Sequence, residues 1–200
     1  MKNIEKELKQ HSPFTIFGAL SGIIIMIVFF RIPTDTAHKI FYILHPMHVI
    51  LSALVTASMY KMYTKKVNPL VLILIGYIGS VGIATLSDSI IPYIGELLLD
   101  LPNKGLHLGF IEKWWLVNPL AALGITIAYF NPTTKFPHAG HVLLSSWASL
   151  FHIMMATGTS MSITLVIITF IFLFVAVLIP CCLSDIIFPL LFVKYKKLQH

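Results

Sequence analysis

Six apolar stretches fill most of this chain, at residues 13–30, 39–60, 69–99, 114–130, 137–157 and 161–193. A helix needs about 20 residues to cross the hydrocarbon core of a bilayer. The first, second, fourth and fifth stretches match one span each. The third and sixth are longer and must tilt, overshoot or break. A soluble fold does not answer the pattern: 57% of the 200 residues are hydrophobic and 11% are charged, and a domain of this size keeps too much surface to hide them. The expected fold class is therefore all-α integral membrane, with six transmembrane helices and residues 1–200 forming a single membrane domain in contact with the lipid bilayer.

The basic residues orient the expected bundle. With the N-terminus in the cytoplasm, the inner segments hold ten of the fourteen Lys and Arg, and only Arg31, Lys39, Lys104 and Lys113 fall outside. Cytoplasmic loops are enriched in basic residues, so both termini are expected in the cytoplasm. The net charge of +6 thus reads as membrane orientation, and no nucleic-acid partner is expected. Residues 1–30 have the charge pattern of a signal peptide, but Arg31, Ile32 and Pro33 stand where a small-residue cleavage site is needed. The segment reads as a retained helix, and a bacterial inner membrane is the expected compartment.

Within the apolar runs, scarce residues repeat. His45-Pro-Met-His48-Val-Ile-Leu-Ser52 matches His138-Ala-Gly-His141-Val-Leu-Leu-Ser145 as H-x-x-H-V-x-L-S. Leu86-Ser87-Asp88-Ser-Ile-Ile-Pro92 matches Leu183-Ser184-Asp185-Ile-Ile-Phe-Pro189 as L-S-D-x-I-x-P. The motifs keep their order at offsets of 93 and 97 residues. Leucine matches carry little weight among apolar helices, whereas His, Asp and Pro are rare there. Residues 13–99 and 114–193 are expected to be duplicated three-helix units. An odd number of spans per unit inverts the second copy relative to the first, an arrangement common among secondary transporters.

The repeated residues are also those able to do chemistry. His45 and His48 are three apart and share a helix face. The lysine topology puts them with Asp88 near the outer side, and puts His138, His141 and Asp185 near the inner side. His152 follows His141 by almost three turns and is expected near the outer level, where Glu96, His107 and Glu112 also fall. An intramembrane Asp costs roughly 2.5–3.5 kcal/mol on insertion scales, so such residues face a partner, a cavity or water. Two imidazoles and a carboxylate suit a divalent metal ion such as zinc, iron or manganese. Equally, they suit interhelical hydrogen bonding without any metal. Pro92 and Pro189 each remove a backbone hydrogen bond to the carbonyl of the Asp four residues earlier, and Ser87 and Ser184 stand beside those carbonyls as support. Cys181 and Cys182 just precede Asp185. A cysteine in an apolar helix is usually a small hydrophobe, though thiolate ligands favour softer metals. Gly18, Gly22, Gly76, Gly79 and Gly82 are packing candidates.

No phosphate loop, nucleotide fingerprint, zincin motif or nucleophile elbow occurs. The expected function is a small inverted-repeat transporter or permease with a divalent metal as substrate or coupling ion. The alternatives are a membrane-embedded metalloprotein or metalloenzyme using a His/His/Asp site, and a structural protein whose polar residues serve helix packing. Whether the chain is an enzyme is left open at this point. Six helices make a thin bundle around a cavity, which leaves room for a homodimer.

Overall fold

The computed structural model describes residues 2–157, 162–182 and 187–193. Among them there are helices and no strands. In chain order the helices are α1 (Lys2–Val28), α2 (Thr34–Tyr63), α3 (Pro69–Leu98), the short α4 (Gly109–Glu112), α5 (Trp114–Phe130), α6 (Lys135–Thr157), α7 (Ile163–Cys182) and the short α8 (Phe188–Leu191). Four helices, α2, α3, α6 and α7, are long and apolar enough to cross a membrane, and Thr15–Val28 and Trp114–Phe130 are shorter apolar helical segments. Large apolar side chains such as Phe17, Ile24, Phe130 and Ile163 stand on the outside, as helices bathed in lipid require.

Local chemistry sets the helix ends. α2 starts five residues before its apolar stretch, because Pro33 has extended geometry and releases the chain into a first turn carrying Asp35. Lys39, the first residue of the apolar stretch, pairs with Asp35 at 2.6 Å, so the turn that precedes the stretch is polar. α3 begins at Asn68, whose side chain accepts from the amides of Leu70 and Val71, with Pro69 where no amide proton is needed. α1 runs back to Lys2, well before the apolar residues begin.

α3 is not a uniform α-helix. Ile78–Gly82 and Leu86–Ile90 form two π turns, a geometry that widens the helix locally and recurs at functional positions. Pro92 therefore does not break α3. The wide turn absorbs it, with the Ile91 amide reaching back to the Leu86 carbonyl.

α2 lies at the centre and packs most extensively on α6 and α5, while α1 covers α6 and α7. One apolar cluster joins Ala19, Met26, Phe41, Leu150, Ile153 and Leu173 across α1, α2, α6 and α7. A second joins Ala53, Ala57, Leu72, Ile75, Ile125 and Ala128 across α2, α3 and α5. α5 approaches α2 so closely that a Cβ on Gly124 would lie 2.4 Å from the Ile50 carbonyl oxygen, and only glycine fits. Of the glycines expected to pack, Gly82 does not: nothing lies within 4 Å of where its side chain would be.

Candidate functional site

The polar residues gather in a column between α2, α3 and α6. Asp88, fully buried, is its hub. The π turn Leu86–Ile90 sets it and Ser87 on the inner face of α3. Its Oδ2 contacts His45 Nδ1 at 2.9 Å and His48 Nδ1 at 2.7 Å. Its Oδ1 accepts from the hydroxyls of Ser87 at 2.7 Å and Ser145 at 2.9 Å. Four donors converge on two oxygens, the set that satisfies an ionised carboxylate. Both imidazoles then donate through Nδ1, and each presents Nε2 as its remaining lone pair. This is the tautomer in which metal-ligating histidines are held by a carboxylate behind them.

His45 Nε2 is buried without a hydrogen-bond partner. Its ring is stacked against Phe41, with centroids 5.3 Å apart and planes 13° from parallel. On another side lies Gly109, where a Cβ would come within 2.6 Å of Nε2. His48 faces the other half of the chain. Its ring stacks on His141 at 5.7 Å and 11°, and His138 meets His141 edge-on at 5.0 Å. A nitrogen of His48, a nitrogen of His141 and Cys181 Sγ all lie within 4.8 Å of one another, and all three residues are buried.

A second pair lies on the opposite side of Phe41. His152 Nδ1 is 2.7 Å from Glu96 Oε1, and the Gly105 amide donates to Glu96 Oε2 at 3.1 Å. Both side chains are buried, and His152 Nε2 has no partner. The Phe41 ring touches His152 at 5.4 Å and His45 at 5.3 Å, so one aromatic ring separates the two carboxylate–histidine groups.

Asp88 and Glu96 share a feature that matters for chemistry. Among the described residues, neither pairs with a lysine or arginine; their charged partners are imidazoles alone. A buried anion without a fixed cation is unfavourable by several kcal/mol, so a proton on an imidazole or a bound cation must supply the balance.

The arrangement differs from what the sequence suggests in one respect. There the histidines form an outer and an inner set; in the structure the sets touch at His48 and His141. α2 has 30 residues and is about 45 Å long, and His48 stands at its midpoint, not near its outer end. Next to it, α6 runs antiparallel: Phe41 and His152 meet on one level, His48 and His141 on another. His152 belongs to Glu96 rather than Asp88. Ser87 supports Asp88 and also accepts, through its carbonyl, the Ser149 hydroxyl at 3.0 Å. Pro92 is buried in the turn after the hub, and Pro189 in the first turn of α8. Asp185 and Ser184 lie outside the described residues.

Sequence reasoning overlooked Ser145, the last letter of a repeated motif and the group that ties α6 to Asp88. Its match with Ser52 was the available signal. Phe41 and Gly109 had no signal, since nothing local distinguishes an aromatic spacer or a glycine beside an imidazole. Comparison with protein-family models, with curated proteins and with solved structures gives no match.

Proposed function

We propose that this chain is a small membrane transporter for a divalent cation, built as two inverted three-helix units. Its cation-binding centre lies where the units meet. His48, His141 and Cys181 supply ligand atoms there, and Asp88 orients His48 from behind. The observation that carries this reading is the buried Asp88 carboxylate, which among the described residues pairs with no lysine or arginine and turns two imidazoles so that each keeps one lone pair. A mixed nitrogen and sulfur set favours zinc or a similarly borderline metal over magnesium or calcium.

The inverted architecture rests on packing as well as on motifs. α2 leans on α5, and α6 leans on α1, each contact joining one unit to the other. Gly124 of α5 abuts Ala53, and Gly18 of α1 abuts Ser146. Ser146 follows Ala53 by 93 residues, the offset of the histidine motif, so each contact sets a glycine against a matched position. His48 and His141, also 93 apart, face each other as two residues beside a two-fold axis do. In this reading the two shorter apolar segments also cross the membrane, giving six spans with both termini in the cytoplasm. Alternating access is then a rocking of one unit against the other around the shared centre.

The test is zinc flux into proteoliposomes, read with an entrapped fluorescent chelator, for the wild type and for His48→Ala and His141→Ala. Each variant should lose at least about tenfold in rate, since removing one ligand of a three- or four-ligand site weakens binding at least as much as removing a supporting residue does. Normal flux in both variants rejects the reading. The complete burial of His45, His48 and His141 also favours a second reading, a resident metal held for structure or catalysis. It predicts one zinc or iron per chain surviving purification and no flux at all.

A further inference from the structure

The column of imidazoles does not stop at His152. The ring of His107, in the connection between α3 and α4, lies 5.5 Å from His152 and 5.5 Å from the ring of His38 on the first turns of α2. Beside them Glu112, at the end of α4, accepts the Leu108 amide on Oε1 at 3.1 Å and the Tyr42 hydroxyl on Oε2. His107 Nδ1 stands 3.4 Å from that same Oε2. One ligand atom from each of His38, His107 and Glu112 lies within 4.8 Å of the others. His107 and Glu112 are 28% and 38% exposed, so a hydrated ion can reach them, whereas His152 behind them is fully buried.

We propose that His38, His107 and Glu112 form a second divalent-cation site, at the solvent end of the column, which loads the ion that then passes to His152 and the buried centre. Three features argue for it. First, the donor set of two imidazoles and a carboxylate is one that zinc and related ions take up. Ligand atoms about 2.0–2.2 Å from a tetrahedral ion stand about 3.4 Å apart, so side-chain rotations of an ångström or so close the set. Second, Glu112 is already oriented, because the Leu108 amide donates to Oε1 and the Tyr42 hydroxyl to Oε2. Third, His152, whose ring meets His107, has Nδ1 fixed by Glu96 and a buried Nε2 with no partner, a vacant ligand atom on the inward side. Lys113 opposes cation binding, with its ammonium 5.4 Å from the Tyr42 ring centroid, and this keeps the site weak enough to release its ion inward.

The existence of the mouth site stands by itself; the passage inward rests on the transport reading. Cobalt is the probe, because its visible absorption reports coordination by nitrogen and oxygen or by sulfur. Full-length protein in detergent is titrated with Co²⁺, beside His107→Ala, Glu112→Gln and His141→Ala. Wild type should bind two equivalents. His107→Ala and Glu112→Gln should each lose the equivalent that lacks sulfur-to-metal absorption, and His141→Ala should lose the other. If the mouth variants titrate like wild type, or if millimolar Co²⁺ gives wild type no absorption of the nitrogen and oxygen type, the mouth site is refuted, whatever the core does. If His141→Ala titrates like wild type while His107→Ala loses an equivalent, the mouth site stands and the buried centre falls. For the passage inward, His107→Ala in proteoliposomes should raise the half-saturating zinc concentration about tenfold with the maximal rate unchanged. An unchanged half-saturation rejects the loading role.

Discussion

Replacing Asp88 by Asn separates the charge of the hub from its shape. The Asn amide has one acceptor oxygen and one NH₂ group where Asp88 has two oxygens. Turned so that the oxygen meets His45 and His48, its NH₂ faces the hydroxyls of Ser87 and Ser145. Those hydroxyls can rotate to accept: Ser87 has the Ala84 carbonyl 3.2 Å away as an alternative acceptor, and Ser145 has Ser87 Oγ at 3.3 Å. The hydrogen bonds therefore survive and the bundle should fold. The negative charge behind the two imidazoles is lost, and loss of such a support lowers metal affinity about 10–100-fold, or about 1.4–2.7 kcal/mol at 1.36 kcal/mol per decade. Asp88→Ala behaves differently. It strands the Nδ1 protons of both imidazoles in a buried site, at about 1–3 kcal/mol each, so stability should fall by about 2–6 kcal/mol. Zinc affinity by competition with a chromogenic chelator and thermal melting in detergent measure the two effects. If Asp88→Asn binds zinc as tightly as wild type, Asp88 is helix glue and the reasoning from its charge is wrong.

Gly109→Ala puts a Cβ within 2.6 Å of His45 Nε2; the ring must leave Asp88 or the α4 turn must shift, and zinc flux should fall about tenfold with a lowered melting temperature. Ser145→Ala removes one of four donors to a buried carboxylate and should destabilise the protein by about 1.5–3 kcal/mol, read as a shift of its unfolding transition in mild detergent. Gly124→Ala drives a Cβ to 2.4 Å from a backbone oxygen of α2, and the backbone cannot rotate aside as a side chain would. It should destabilise by about 1–3 kcal/mol, and an unfolding midpoint equal to wild type would show that α5 slides freely over α2. Phe41→Ala opens the ring that separates His45 from His152; the cavity should cost about 3–5 kcal/mol, measured by the same unfolding transition.

The helices were legible in the sequence because apolar runs and proline positions are local. α3 was expected at 69–99 and is found at Pro69–Leu98, and α5 was expected at 114–130 and is found there. What escaped was polar: the first residues of α2 around Asp35 have no apolar signal. Reading His48 as near the outer side, when it stands at the middle of both the 39–60 stretch and α2, made two sets of ligands out of a connected column. The histidines and Asp88 were legible because they are scarce in apolar helices and recur at fixed offsets. Their partners were not. Ser145 reaches the site by lateral packing of α6 on α3, and His38 reaches its cluster because residues 99–108 fold back over the start of α2. Neither event leaves a periodic mark on the chain.

The absence of a lysine or arginine beside Asp88 and Glu96 has an electrical side. Under the proposed transport reading, the centre in a bilayer takes its net charge from mobile occupants, protons or a metal ion, because among the described residues no lysine or arginine pairs with either carboxylate. An ion moving from the solvent end to Asp88 crosses part of the transmembrane field, and the full drop amounts to about 2.3 kcal/mol per elementary charge per 100 mV. A divalent ion that traverses half of it gains or loses about as much, about 2.3 kcal/mol at 100 mV, close to fiftyfold in occupancy. Under the transport reading the membrane potential would then act on this protein directly, and filling the column would be a measurable current.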